Sequence, residues 1–262
     1  MRGFVWYEDD SFLHRLNPLT KLAISLPVVV LASLSFEPIT PLAMAWMALL
    51  VTRYVGRVPW PRLLRPLLFA GPLSLGFFWS GTVFYVGPGS GPDAPGFALG
   101  PWWLPSAAIV YGLAIGSRAL AIFCTSMIFV LTTDPVHIVL ALMQHLRMSP
   151  RIGYSIFAGY RFMPLLQDEL TNIRAAYQVR GAIRGGIVGR VRELFDFAIP
   201  LLAISVRRGE RVALAMESRA FEAVPQRTYM HVSRFSWRDP VFTAGAVAFL
   251  AALVLRSSGG FG

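Results

Sequence analysis

Apolar residues in this chain gather into five long runs, at 18–36, 38–55, 66–86, 107–131 and 241–255, separated by polar or glycine- and proline-rich segments. A helix needs about 20 mainly apolar residues to cross roughly 30 Å of hydrocarbon, so each run predicts a transmembrane helix, the second and fifth short ones. Between the fourth and fifth runs the spacing changes to a helical period. Ile152, Ile156, Gly159, Met163, Leu166, Leu170, Ile173 and Tyr177 recur at steps of three and four, which predicts an amphipathic helix with a single apolar stripe. One further step of three lands on Arg180, and Gly181 is expected to stop the helix there. A second helical pattern covers 188–221, with Pro200 expected to kink it and Leu201, Ser205, Arg208, Val212, Ala215 and Arg219 on its later face. A shorter helix is predicted over 134–147, opened by Asp134 as N-cap with Pro135 in the first turn. The fold class expected is therefore all-α: a polytopic helical membrane protein with about five transmembrane helices and long cytoplasmic amphipathic helices. It divides into transmembrane helices 1–4 over 1–131, cytoplasmic helices over 132–239 and a last transmembrane helix over 240–262.

Composition supports the membrane reading. Of 262 residues, 55% are hydrophobic and 15% charged, against about 25% charged in soluble domains, and the mean hydropathy is +0.56. The formal charge of +10 admits either nucleic acid or the cytoplasmic loops of a polytopic protein, and the positions of the basic residues decide between them. Arg2 and Arg15 precede the first run and Lys21 heads it. Arg53, Arg57, Arg62 and Arg65 fill the second connection, and fifteen of the 24 basic residues lie in 132–239. The connection 87–106 has no lysine or arginine and ends in the interfacial pair Trp102-Trp103. The N-terminus and 132–239 are thus expected in the cytoplasm and 87–106 outside, with no role for nucleic acid. Glu8, Asp9 and Asp10 stand where a cleavable signal would be basic, so the first run should remain as an anchor.

No catalytic centre assembles from the sequence. Cys124 is the only cysteine and lies inside an apolar run, His137 and His145 lack metal-ligand spacing, and no phosphate-binding G-x-x-x-x-G-K-[ST] is present. The glycines of 87–91 are interrupted by proline and follow no strand of the soluble type. No cofactor or metal is expected. Arg118, near the middle of the fourth run, should face a protein interior or a wet cavity. Gly112 and Gly116, and Ala244, Ala248 and Ala252, offer small faces for close helix packing. The stretch 58–65, with Trp60, should lie at the membrane interface. An arginine at a helix end is suited to fork-like pairing with carboxylates in a partner's groove, and the chain presents two such ends, Val179-Arg180-Gly181 and Ser218-Arg219-Ala220. A self-sufficient secondary transporter is the alternative, for which paired repeats and intramembrane acids would be expected.

Three stretches resemble the transmembrane coupling subunit, or T component, of energy-coupling factor (ECF) transporters, the vitamin and metal importers of prokaryotes. They are Asn17-Pro18-Leu19-Thr20-Lys21 before the first run, Arg161-Phe162-Met163-Pro164, and Ala215-Met216-Glu217-Ser218-Arg219-Ala220-Phe221. The first is similar to an Asp-Pro-Arg-Thr-Lys opening, and the last to Ala-Met-Glu-Ala-Arg-Gly-Phe. The resemblance implies a non-catalytic, multi-pass protein of the prokaryotic cell membrane. Two ATP-binding subunits would dock on Ala-Arg-Gly-type motifs, here centred on Arg180 and Arg219, and a membrane-embedded substrate-binding S component would carry the vitamin or metal ion. Val179, Ser218 and Ala220 replace that family's alanine, alanine and glycine at the two motifs.

Overall fold

The computed structural model describes residues 11–35, 37–89, 95–99, 102–181, 187–221 and 235–259. In chain order the elements are α1 (Pro18–Leu34), α2 (Ile39–Leu50) prolonged by a π-helix (Val51–Val55), α3 (Trp60–Val83), β1 (Gly96–Leu99), β2 (Trp102–Pro105), α4 (Ser106–Thr132), α5 (Pro135–His145), α6 (Pro150–Val179), α7 (Ile187–Glu217) and α8 (Arg238–Gly259). Two compact units contain them: residues 1–141 with 233–262, and residues 142–232.

In the first unit α1 starts where Asn17 turns its side chain onto the chain ahead. Its Oδ1 accepts the Leu19 N–H at 3.0 Å, while Pro18 occupies the first helical position, where no N–H is needed. α4 is the central element, packing against α1, α2 and α3, with α8 alongside α1. The core is built of small and flexible side chains: Ala32, Met44, Ala45, Ala48, Ala121 and Cys124, closed by Leu250 and Leu253. Gly112 and Gly116 bring α4 onto α3. A Cβ at Gly112 would strike the Thr82 Oγ1, and one at Gly116 would stand 2.9 Å from the Ser74 carbonyl oxygen. Ala244, Ala248 and Ala252 lie on the exposed side of α8.

Large apolar residues on the outside of these helices, such as Leu68, Phe69 and Leu75 of α3, are exposed. In water so broad an apolar surface would drive association, whereas against lipid tails it is the ordinary state. Trp60–Val83, Ser106–Thr132 and Arg238–Arg256 are long and apolar enough to cross a membrane, and Pro18–Leu34 and Ile39–Val55 are shorter apolar helices. The chain is an all-α polytopic membrane protein. Two details add to the sequence reading. Residues 60–65 of the stretch expected at the interface join the third run as the first turns of α3. The connection between α3 and α4 carries a two-stranded antiparallel hairpin, Phe97 facing Leu104 and Ala98 facing Trp103, which pairs backbone groups that a free loop would leave to water.

The second unit is dominated by α6 and α7. Pro150 opens α6, and Pro164 and Pro200 lie inside α6 and α7, each removing one backbone donor from its helix. The single stripe expected on α6 is corrected by the packing. Leu166, Ile173 and Tyr177 are half-buried, but Ile152, Ile156 and Met163 are exposed. Tyr154 and Phe162, both half-buried, meet the α7 chain instead, their rings reaching further across the helix pair than branched aliphatic side chains do.

Candidate functional site

Three contacts fix how α6 and α7 run. The Tyr154 ring meets Phe221 edge-on at 5.1 Å, the Arg208 guanidinium lies 5.8 Å from the Phe162 ring centroid, and Tyr177 meets Phe197 at 5.2 Å. As the residue number rises on one helix it falls on the other, so the pair is antiparallel. The Tyr177 hydroxyl also donates to the Asp196 carbonyl at 3.3 Å. A groove of about 490 Å³, lined by Ser155, Gly159, Phe162, Gly209, Ala213 and Met216 among others, runs between the two helices.

Both sequence-predicted tips are the ends of these helices. Arg180 is the C-cap of α6, its N–H donating to the Ala176 carbonyl at 3.2 Å, and Gly181 follows with φ +64° and its N–H on the Gln178 carbonyl at 3.0 Å. At the end of α7 the Arg219 N–H donates to the Met216 carbonyl at 3.1 Å. Ala220 follows with φ +55°, its N–H on Glu217, and the Phe221 N–H returns to Met216 at 3.1 Å. The second tip is a complete Schellman motif and the first shares its inner bond, so the two arginines occupy the same position ahead of a left-handed residue. Both side chains are exposed, as are Val179, Gly181, Ser218 and Ala220. Val179 is 90% exposed, an apolar surface with nothing beneath it within its own unit. Because the helices are antiparallel, the arginines stand at opposite ends of the pair. Some 26 residues of α6 separate the level of Tyr154 from Arg180, about 40 Å at 1.5 Å per residue.

Other charged residues singled out in the sequence have structural partners. Arg118 donates from Nη2 to the Ser35 carbonyl at 2.7 Å, holding the end of α1 where the helix dipole is negative, so it does face the protein interior. Lys21 is 4% exposed, and its Nζ donates to the Thr132 carbonyl at 2.7 Å, the Thr132 Oγ1 at 3.2 Å and the Thr133 Oγ1 at 3.3 Å. Sequence reasoning missed Asp239, 3% exposed, whose Oδ1 accepts the Asn17 N–H at 2.9 Å and whose Oδ2 accepts the Ser236 N–H at 2.6 Å. The carboxylate thereby ties the start of α8 to the start of α1 across 222 residues of sequence. The available signal was an acid and a proline at the head of an apolar run. No group of three or more potential metal ligands occurs among the described residues.

Comparison with known proteins agrees with this architecture. The family described as "Cobalt transport protein", CbiQ, matches residues 9–230. The chain is similar to the energy-coupling factor transporter transmembrane protein EcfT of Heliobacterium modesticaldum, 28% identical over 243 residues that cover 89% of each chain. It is 27% identical to that of Streptococcus thermophilus over 262 residues, 92% of each. With that of Limosilactobacillus fermentum the identity is 28% over 260 residues, 94% of this chain and 92% of the relative.

Proposed function

Since this chain belongs to the CbiQ family of cobalt transport proteins, we propose that it is the T component of an ECF-type importer. In that role it transmits ATP-driven movement of two partner ATPase subunits to an S component that carries a vitamin or metal ion. The reading rests on one observation above the others: Arg180 and Arg219 hold equivalent exposed cap positions at opposite ends of one antiparallel helix pair. A spacing of about 40 Å suits two separate docking grooves better than one.

At each tip the guanidinium supplies a fixed, planar, permanently charged fork for carboxylates in the ATPase groove. The left-handed residue behind it turns the chain sharply away, so the arginine projects from the helix end with little backbone around it. When the two ATPases approach or separate, they push on the ends of two rods of 30 and 31 residues. The displacement reaches the faces those rods present elsewhere. Phe195, Ile199, Leu202 and Val206 form an exposed apolar stripe along α7, which provides a surface for the S component. ATP hydrolysis belongs to the partners, and the chain itself holds neither cargo nor nucleotide.

The test is affinity capture of the chain from its native membrane in mild detergent, wild type beside Arg180→Glu/Arg219→Glu. The expected result is two ATP-binding subunits and a small hydrophobic protein with the wild type. The folded variant should lose the ATPases, because reversing the charge leaves carboxylates facing carboxylates. ATPases retained at wild-type levels by the folded double variant, or a wild type that comes down alone and drives ion-coupled uptake by itself, would overturn the proposal.

A further inference from the structure

The turn between α2 and α3 concentrates charge and aromatic surface in a way the coupling role does not use. Between Glu37 and Asp93 the chain has no acidic residue, yet Arg53, Arg57, Arg62 and Arg65 fall within thirteen positions. The backbone that presents them is held from inside. The buried Thr52 donates its hydroxyl to the Ala48 carbonyl at 2.7 Å, and the helix widens there into the π-turn Val51–Val55. The Gly56 N–H closes that turn on the Val51 carbonyl at 2.9 Å, and a Cβ at Gly56 would lie 2.5 Å from the Thr52 carbonyl oxygen. Val58 and Leu63, both buried, plug the turn against Met127 and Leu131 of α4. Between these anchors Arg57 adopts φ +50°, a conformation that L side chains rarely take, and its side chain is exposed.

Aromatic rings border the same patch. The Arg53 guanidinium lies 5.9 Å from the Tyr54 ring centroid and 5.8 Å from that of Trp60. Tyr54, Trp60, Leu64 and Leu68 are all exposed. Tyrosine and tryptophan flanked by exposed leucines mark the level where headgroups meet acyl chains, and the arginines supply positive charge at that level. A soluble anion would use the charge and leave the apolar border idle. A phospholipid uses both.

We propose that the α2–α3 turn binds the phosphate headgroup of an anionic phospholipid in the leaflet it faces, through Arg53, Arg57 and Arg65. Tyr54 and Trp60 lie against the top of the acyl chains. The backbone of the turn is already pinned by Thr52, Gly56, Val58 and Leu63, so binding orders side chains rather than the chain itself.

The experiment is native mass spectrometry of the full chain released from nanodiscs holding equal parts phosphatidylglycerol and phosphatidylcholine. Wild type is expected to retain phosphatidylglycerol in preference. Arg53→Gln/Arg57→Gln/Arg65→Gln should lose the preference by about fivefold for each arginine removed, and the matching Arg→Lys triple should keep most of it. Arg174→Gln/Arg207→Gln/Arg211→Gln, with the same charge removed from α6 and α7, should retain as wild type does. Size-exclusion elution from the discs reports folding, and Arg57→Gln alone serves if the triple does not elute as wild type. Equal retention of the two lipids by wild type, an unchanged preference in the turn variants, or an equal loss in the α6–α7 variant overturns the proposal.

Discussion

At the residue scale the two arginine tips differ at the left-handed position. Gly181 takes its positive φ without cost, while Ala220 carries a Cβ into the same left-handed region, worth about 1–2 kcal/mol against an L residue. Ala220→Gly is therefore expected to firm the α7 tip by about 1 kcal/mol, net of the freedom glycine adds to the unfolded chain. Amide exchange of the last turn, at Ser218 and Arg219, should slow several-fold, and Gly181→Ala should speed it at the α6 tip. Residues whose partners are close in sequence were legible beforehand. Asp134 was expected to cap α5, and its Oδ1 accepts the Val136 N–H at 2.9 Å. Arg180 was expected one step before the stop at Gly181, and it stands there. Asp239 and the Thr132-Thr133 pair were not legible, because a carboxylate that meets Asn17 and threonines that meet Lys21 depend on helices far apart in the chain.

Elements follow from period and length more than from individual residues. All five apolar runs became helices, but the tight crossing of α3 and α4 depends on where no side chain stands. Gly112→Val puts a branched side chain onto Thr82 Oγ1 and within 2.6 Å of the Phe78 carbonyl oxygen, and overpacking of this kind costs about 1–3 kcal/mol. A lower melting temperature in detergent is the expected outcome. Gly245→Ala on α8, where a Cβ meets nothing within 4 Å, should melt with the wild type or slightly above it. Hydropathy also missed two things at this scale. The β1–β2 hairpin is only four residues a side, too short for an alternating pattern to register. On α6 a sequence rich in apolar residues all round offers two candidate faces, and the aromatic contacts to α7, unknown beforehand, choose between them.

At the scale of the whole molecule, the proposed coupling role makes a distance its signature. Spin labels at Val179→Cys and Ser218→Cys, with Cys124→Ser to remove the buried thiol, should report about 40 Å by pulsed electron resonance, since the tips end opposite poles of an antiparallel pair. A separation under about 25 Å would place both tips in reach of a single groove and remove the geometric basis of two-site docking. Fold class and tip positions could be read from the sequence because both are properties of runs and their ends. The antiparallel pairing could not, since it is set by contacts between helices. The single lysine carries a practical consequence. With the Lys21 ammonium enclosed by three oxygen acceptors, the side chains offer no reachable primary amine. In the proposed importer, amine-reactive cross-linkers would reach no side chain of this subunit and would link its neighbours to one another around it. Mapping it requires chemistry aimed at arginines or carboxylates.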